Sequence, residues 1–162
     1  MADLVLPDRP TVVLDTNVYF QAMIRPAGPA RRLLDALALG KGVNLICNAL
    51  LAEFSEVCMR PKLASKFAIT RERLGAYLAH VRRFSKTMKD VGDVFVFKRD
   101  PKDAFIVNLA VTGKADVLVS RDLDLLELRN GDDADAQQLR DLAPNLVIVD
   151  PVRLLNRLDD AD

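Results

Sequence analysis

Two textures of hydrophobic and polar positions alternate along the chain. Short apolar runs, mostly β-branched, occur at Val12-Val13-Leu14, Leu45-Ile46-Cys47, Val94-Phe95-Val96-Phe97, Val117-Leu118-Val119 and Leu146-Val147-Ile148-Val149. Between them lie longer stretches whose apolar residues recur every three or four positions, as in Leu74, Tyr77, Leu78, Val81 and Phe84. Short runs bounded by turn residues read as buried strands, and the longer period reads as amphipathic helix. The pattern predicts strands near 11–14, 43–47, 94–97, 116–120 and 146–149. It predicts helices over 18–24, from Pro29 to Gly40 or Gly42, over 49–59 behind an Asn48 cap and ended by Pro61, from a Thr70 cap to about Met88, over 104–112 closed by Gly113, and from Pro151 through Leu158. Residues 129–144 are polar and read as a surface insertion with one short helix. Residues 1–10 read as a loose lead-in, 11–158 as one domain, and 159–162 as a frayed acidic tail. Five strands alternating with helices argue a parallel sheet covered on both faces, an α/β architecture.

Composition narrows the class without naming a partner. Half of the 162 residues are hydrophobic and 28% are charged, the make-up of a folded chain. Because no apolar run exceeds four residues, neither a transmembrane helix nor a secretory leader is expected, and the cytoplasm is the expected location. Cys47 and Cys58 lack metal-type spacing and read as reduced, packed thiols. Lys plus Arg and Asp plus Glu are 23 each, so net charge points to no polyanionic partner. His80, the only histidine, falls within a helix and reads as structural or solvent-facing.

Candidate chemistry sits at the ends of the predicted strands. Asp15 follows the first, and Asp122 the fourth. Glu53 lies early in the helix after the second, and Asp103 opens the helix after the third. Taken singly, each Asp reads as a helix cap and Glu53 as a solvent-facing residue. In a parallel sheet all four fall on the carboxyl edge, where ligands bind in open α/β folds. Carboxylates converging there repel one another, and a divalent cation removes the conflict. An all-oxygen donor set without His or Cys favours Mg²⁺ or Mn²⁺ over zinc and suits phosphodiester hydrolysis.

At this point a family resemblance becomes specific. Val-Val-Leu-Asp-Thr-Asn-Val at 12–18, Leu-Leu-Ala-Glu-Phe at 50–54, Arg-Asp-Pro-Lys-Asp at 99–103 and Ala-Asp-Val-Leu-Val-Ser-Arg-Asp-Leu-Asp-Leu-Leu at 115–126 resemble, in order and spacing, the motifs of PIN-domain nucleases. Arg60-Pro61-Lys62 resembles the branch of bacterial toxin–antitoxin toxins. The resemblance implies a three-layer α/β/α PIN-like fold with a central, mainly parallel five-stranded sheet. It implies a Mg²⁺-dependent (or Mn²⁺-dependent) endoribonuclease, the toxin of a pair, with RNA as substrate, a cognate antitoxin as partner, and a homodimer. Position by position, Asp15 and Asp103 resemble the main metal ligands, Glu53 the supporting acid and Asp122 the fourth. Asp124 corresponds to a further or alternative ligand, and Asn17 and Ser120 to groups that orient water or carboxylates. The family often has Gly where Arg121 stands, and the 129–144 insertion is longer than usual.

Arg121 with Lys98, Arg99 and Lys102 forms the expected substrate-binding set. The alternative is a PIN-like module that no longer cleaves and binds RNA or protein instead. The intact acidic set speaks against it. A haloacid-type phosphatase would need a second Asp where Asn17 stands.

Overall fold

The computed structural model describes residues 4–98, 100–101 and 103–160. The chain runs β1 (Thr11–Leu14), α1 (Thr16–Ile24), α2 (Pro29–Ala38), β2 (Val43–Ile46), α3 (Asn48–Cys58), α4 (Pro61–Lys66), α5 (Arg71–Phe84), β3 (Lys86–Thr87), α6 (Ala104–Thr112), β4 (Val117–Val119), α7 (Leu123–Leu128), α8 (Ala134–Leu142), β5 (Val147–Val149) and α9 (Pro151–Asp160). The five strands form one sheet in the order β3-β2-β1-β4-β5, and every pairing is parallel. Helices flank the sheet in a three-layer α/β/α arrangement. On one side α1 packs on α2 and α3, and α2 on α9; elsewhere α6 contacts β1 and β4, and α7 contacts β5 and α8.

The central strands are apolar because neither face meets water. Val12, Val13, Leu14, Val117, Leu118 and Val119 have no exposed surface. Local chemistry sets the helix ends. Pro29 stands in the first turn of α2, where its missing N–H costs nothing, and Gly40, at φ +89°, takes the left-handed turn after that helix. Pro61 ends α3 and also opens the short helix α4.

Two expectations need correction. The third strand is not Val94–Phe97 but Lys86–Thr87, within the stretch expected as the end of the long helix. That helix stops at Phe84, where Ser85 turns extended (φ −100°, ψ 154°) and accepts a 2.9 Å hydrogen bond from Asn44 Nδ2. The chain then pairs with β2, and the Met88 N–H donates to the Ile46 carbonyl at 2.7 Å. Segment 94–97 does alternate as a strand would, with Phe95 and Phe97 buried and Val94 and Val96 exposed. Its backbone pairs with side chains instead of another strand. Asn108 Oδ1 accepts from the Val94 and Phe95 N–H groups at 2.9 and 2.8 Å, and Asn108 Nδ2 donates to the Phe95 carbonyl at 3.2 Å. Gln138 accepts from the Val96 N–H at 3.0 Å and donates to its carbonyl at 2.9 Å.

The second correction concerns 129–144. It is more than a surface insertion, since α8 buries Ala136 and Leu139 completely and contacts α7. Asp133 caps α8 by accepting from the Ala136 N–H at 2.9 Å. The lead-in is partly tied down as well: Arg157 donates to the carbonyls of Leu4 and Leu6, both at 3.1 Å. Residues 1–3 of the lead-in and 161–162 of the tail lie outside the described residues, and α9 extends through Asp160.

Asn108 is nearly buried and serves three backbone groups, so Asn108→Leu strands them in a dry environment. At about 1–3 kcal/mol for each buried group left unpaired, with partial relief from solvent at Val94, the expected loss is about 2–4 kcal/mol. A urea titration with an unchanged m-value and a lowered midpoint is the expected result.

Candidate metal centre

The strand order creates the crevice. From β1 the sheet grows one way through β2 and β3 and the other way through β4 and β5. The chain leaving β1 therefore diverges from the chain leaving β4, and the gap between their carboxyl ends is a topological switch point. Asp15 lies at one lip, and Ser120 to Asp122 at the other.

Asp15 is only 7% exposed and is held by its neighbours. Its Oδ1 accepts from the Thr16 N–H at 2.8 Å, making it the cap of α1, and its Oδ2 accepts from Ser120 Oγ at 2.8 Å and Asn17 Nδ2 at 3.4 Å. Asn17 also reaches across the switch point, accepting from the Arg121 N–H at 3.2 Å. Ser120, fully buried, accepts in turn from the Asp122 N–H at 3.0 Å. Asp122 caps α7 by accepting from the Asp124 N–H at 2.9 Å. Asp15 and Asp122 thus both cap helices at the crevice and are joined through Ser120, while Asp15 and Glu53 stand outside the three-carboxylate group formed by Asp122 with Asp100 and Asp103.

Asp103 behaves differently. It precedes α6 yet makes no side-chain capping bond, its backbone is already helical (φ −79°, ψ −11°), and its Oδ2 is buried with no hydrogen-bond partner. Its carboxyl groups with those of Asp100 and Asp122, the three presenting oxygens within 4.8 Å of one another. Asp100 was not among the sequence candidates. It stands one turn before Asp103, whose N–H donates to the Asp100 carbonyl at 3.1 Å. No periodicity marks it; the available signal was an acid three residues ahead of Asp103 across Pro101.

Electrostatics tie the remaining acids to this group. Burial pushes the Asp103 carboxyl up to about 8, aided by its contact with Asp122 and the charges of Asp15 and Asp100. Asp15 is raised by burial, against the lowering hydrogen bonds from Ser120 and Thr16, with the Asp122 charge adding to the rise. Glu53, on the exposed side of α3, is raised by partial burial and then by the Asp15 charge, while Arg60 pulls it down. The charges weighing on Asp15 and Asp103 are acidic. An orphaned carboxylate oxygen, three carboxylates in mutual reach and oxygen-only donors fit a hard divalent cation. Asp124 is half-buried and stands outside the three-acid group.

The expected basic set divides. Arg121 is exposed beside the acids and lines a cavity of about 1010 Å³. Lys98 lines a small depression with Asp133 and Asp135, and its N–H donates to Asp135 Oδ2 at 3.1 Å. Arg99 and Lys102 lie outside the described residues.

Comparison with known proteins places the fold in a family. A family model described as "PIN domain" matches residues 11–124. An uncharacterized protein of Methanocaldococcus jannaschii is 30% identical over 128 residues, covering 74% of this chain and 75% of its own. A solved structure, VapBC2 from Rickettsia felis bound to a DNA fragment from their promoter, matches with a TM-score of 0.53 at 15% identity, over 86% of this chain and 98% of the other. At that identity the likeness speaks for the fold.

A raised acid pKa means that the native state holds protons the unfolded chain has released. For Asp103, the metal-free fold is favoured below the unfolded value near 3.8, and that advantage is lost as pH rises toward about 8. Asp103→Asn removes the charge and keeps the shape. Without metal it should melt above the wild type at pH 9, with the gap closing toward pH 4; a lower melting temperature at pH 9 would make Asp103 a structural cap.

Proposed function

We propose that this chain, which belongs to the PIN-domain family, is a divalent-metal-dependent endoribonuclease that hydrolyses RNA phosphodiester bonds. The observation that carries the reading is the buried Asp103 Oδ2 without a hydrogen-bond partner, on a carboxyl grouped with those of Asp100 and Asp122. A helix cap would spend that oxygen on an N–H, and a structural acid would be paired with a cation.

In this reading Asp15, Asp103 and Asp122 hold Mg²⁺ or Mn²⁺, with Asp100 beside them and Glu53 and Asp124 as supporting acids. A cation held there would supply charge neutralisation for the scissile phosphate and would lower the pKa of an attacking water. The chain's own groups do the rest. Ser120 and Asn17 fix the Asp15 carboxylate, so that it does not reorganise when charge develops. Glu53, exposed on α3 and raised by burial and the Asp15 charge, is in this reading the acceptor of a proton from water. Arg121, held by its backbone to Asn17, presents its guanidinium to the substrate side.

The toxin role is supported by the resemblance of Arg60-Pro61-Lys62, where α4 begins, to the toxin branch of the family. The partner in this reading is a small cognate antitoxin that covers the acidic crevice, and the active unit is a homodimer. Among the described residues no helix is long and apolar enough to cross a membrane. Light scattering with and without a co-expressed antitoxin reads both associations.

Purified protein should cut single-stranded RNA with Mg²⁺ or Mn²⁺ and stop in chelator; equal cutting in chelator overturns the reading. Asp103→Asn should lose at least ~100-fold in rate. Asp100→Asn should lose roughly 10–100-fold, the range seen when a group supporting a metal site is removed. Mg²⁺ should also raise the wild-type melting temperature in proportion to the logarithm of its concentration, since it binds only the folded site.

A further inference from the structure

The cavity that Arg121 lines adjoins the acids through that residue, which stands between Ser120 and Asp122 in the chain. Its walls come from α1, the start of α2, α7 and α9. Four guanidinium groups line it: Arg25 after α1, Arg121 beside the acids, and Arg153 and Arg157 on α9. Two acids, Asp150 and Asp160, stand among them, so cationic side chains outnumber anionic ones two to one. The floor is apolar, with Ala30 and Pro151 buried.

The four arginines are not equivalent. Arg157 spends its Nε and one Nη on the carbonyls of Leu4 and Leu6, which fixes one wall. Arg25 is exposed and Arg153 half-buried. Gln21 lines the same cavity, and its Oε1 is buried without a hydrogen-bond partner, so the protein does not lock that amide in one orientation. The connection to the acids is short. The Arg121 N–H donates to Asn17, Asn17 donates to Asp15, and Arg121 stands between Ser120 and Asp122 in the chain.

A strand crossing the acidic crevice must leave it, and the cavity opens beside it with donors spread over three elements. We propose that this cavity is a ribonucleotide-binding subsite, in which Arg25 and Arg153 take backbone phosphates of the RNA flanking the cleaved bond and Gln21 faces the sugar or base. This rests on reading the acids as an RNA-cleaving centre. Repeating phosphates suit several guanidiniums lining one cavity; of the set expected from sequence, Arg121, Lys98, Arg99 and Lys102, Arg121 is, among the described residues, the member that lines it.

The test measures binding of a short fluorescein-labelled single-stranded RNA to full-length protein carrying Asp103→Asn, across a KCl series. Adding Arg25→Ala and Arg153→Ala should weaken binding and flatten the log–log salt slope by about 1.4, the value for two phosphate contacts on a single strand. Arg25→Glu, which is surface-exposed, should weaken it further without lowering the melting temperature. Gln21→Leu should narrow the preference for RNA over DNA of the same sequence. An unchanged slope in the double variant overturns the proposal. So does retained RNA binding together with lost binding of a synthetic acidic peptide, which makes the cavity a protein-docking site. If the wild type cuts RNA with Mg²⁺ while the double variant keeps its slope, only the subsite falls; if the wild type cuts nothing, the reading of the acids falls with it.

Discussion

Mutual repulsion of carboxylates in a poorly solvated crevice is the constraint that organises this molecule. Asp15 is nearly buried, Asp103 holds an oxygen with no partner, and Asp100 and Asp122 stand within reach of it. Nothing in folding favours this arrangement for its own sake; Asp15 and Asp103 are disfavoured as charges by burial and by their acidic neighbours. The fold tolerates it because the surrounding strands are wholly apolar and the hydrogen bonds from Ser120, Thr16 and Asn17 hold Asp15 from three directions. Stability is built into the sheet and strain is concentrated at one of its edges, the usual division between scaffold and site.

The elements that sequence made legible are those whose signal is local. Val12-Val13-Leu14 before Asp15 and Val117-Leu118-Val119 before Ser120 could be read as buried strands because central parallel strands are apolar on both faces. Asp15 and Asp122 could be placed at the crevice because a parallel sheet puts every strand's carboxyl end on one side. Asp103 could be matched by its motif, though the decisive fact, its lack of a capping bond, belongs to three dimensions.

What stayed hidden depended on partners distant in sequence. Val94–Phe97 has true period-two burial, and the pattern was read correctly as alternation. Whether such a segment joins a sheet depends on what meets its backbone, and here that is Asn108 and Gln138, from 14 and 42 residues away. Lys86–Thr87 is too short and too polar to announce itself, since both residues are exposed. Asp100 shows no periodicity, and Arg25, Arg153 and Arg157 meet Arg121 only because α9 returns against α2. A helix that looked like a surface insertion proved to carry Gln138 and Asp135, two of the groups that pin the segment leading to the acids.

That pinning has a kinetic meaning. Strands β1 and β4 are secured by a backbone ladder inside a closed core, so they part only when the whole domain opens. The segment carrying the chain to Asp100 and Asp103 has, among the described residues, no such ladder: its backbone is held by Asn108, Gln138 and Asp135, and Phe95 and Phe97 anchor it in the core. The acids therefore stand on two kinds of support. Asp15 and Asp122 follow ladder-bonded strands, and Asp100 and Asp103 follow the segment held through side chains, so a cation held by both pairs would staple one support to the other.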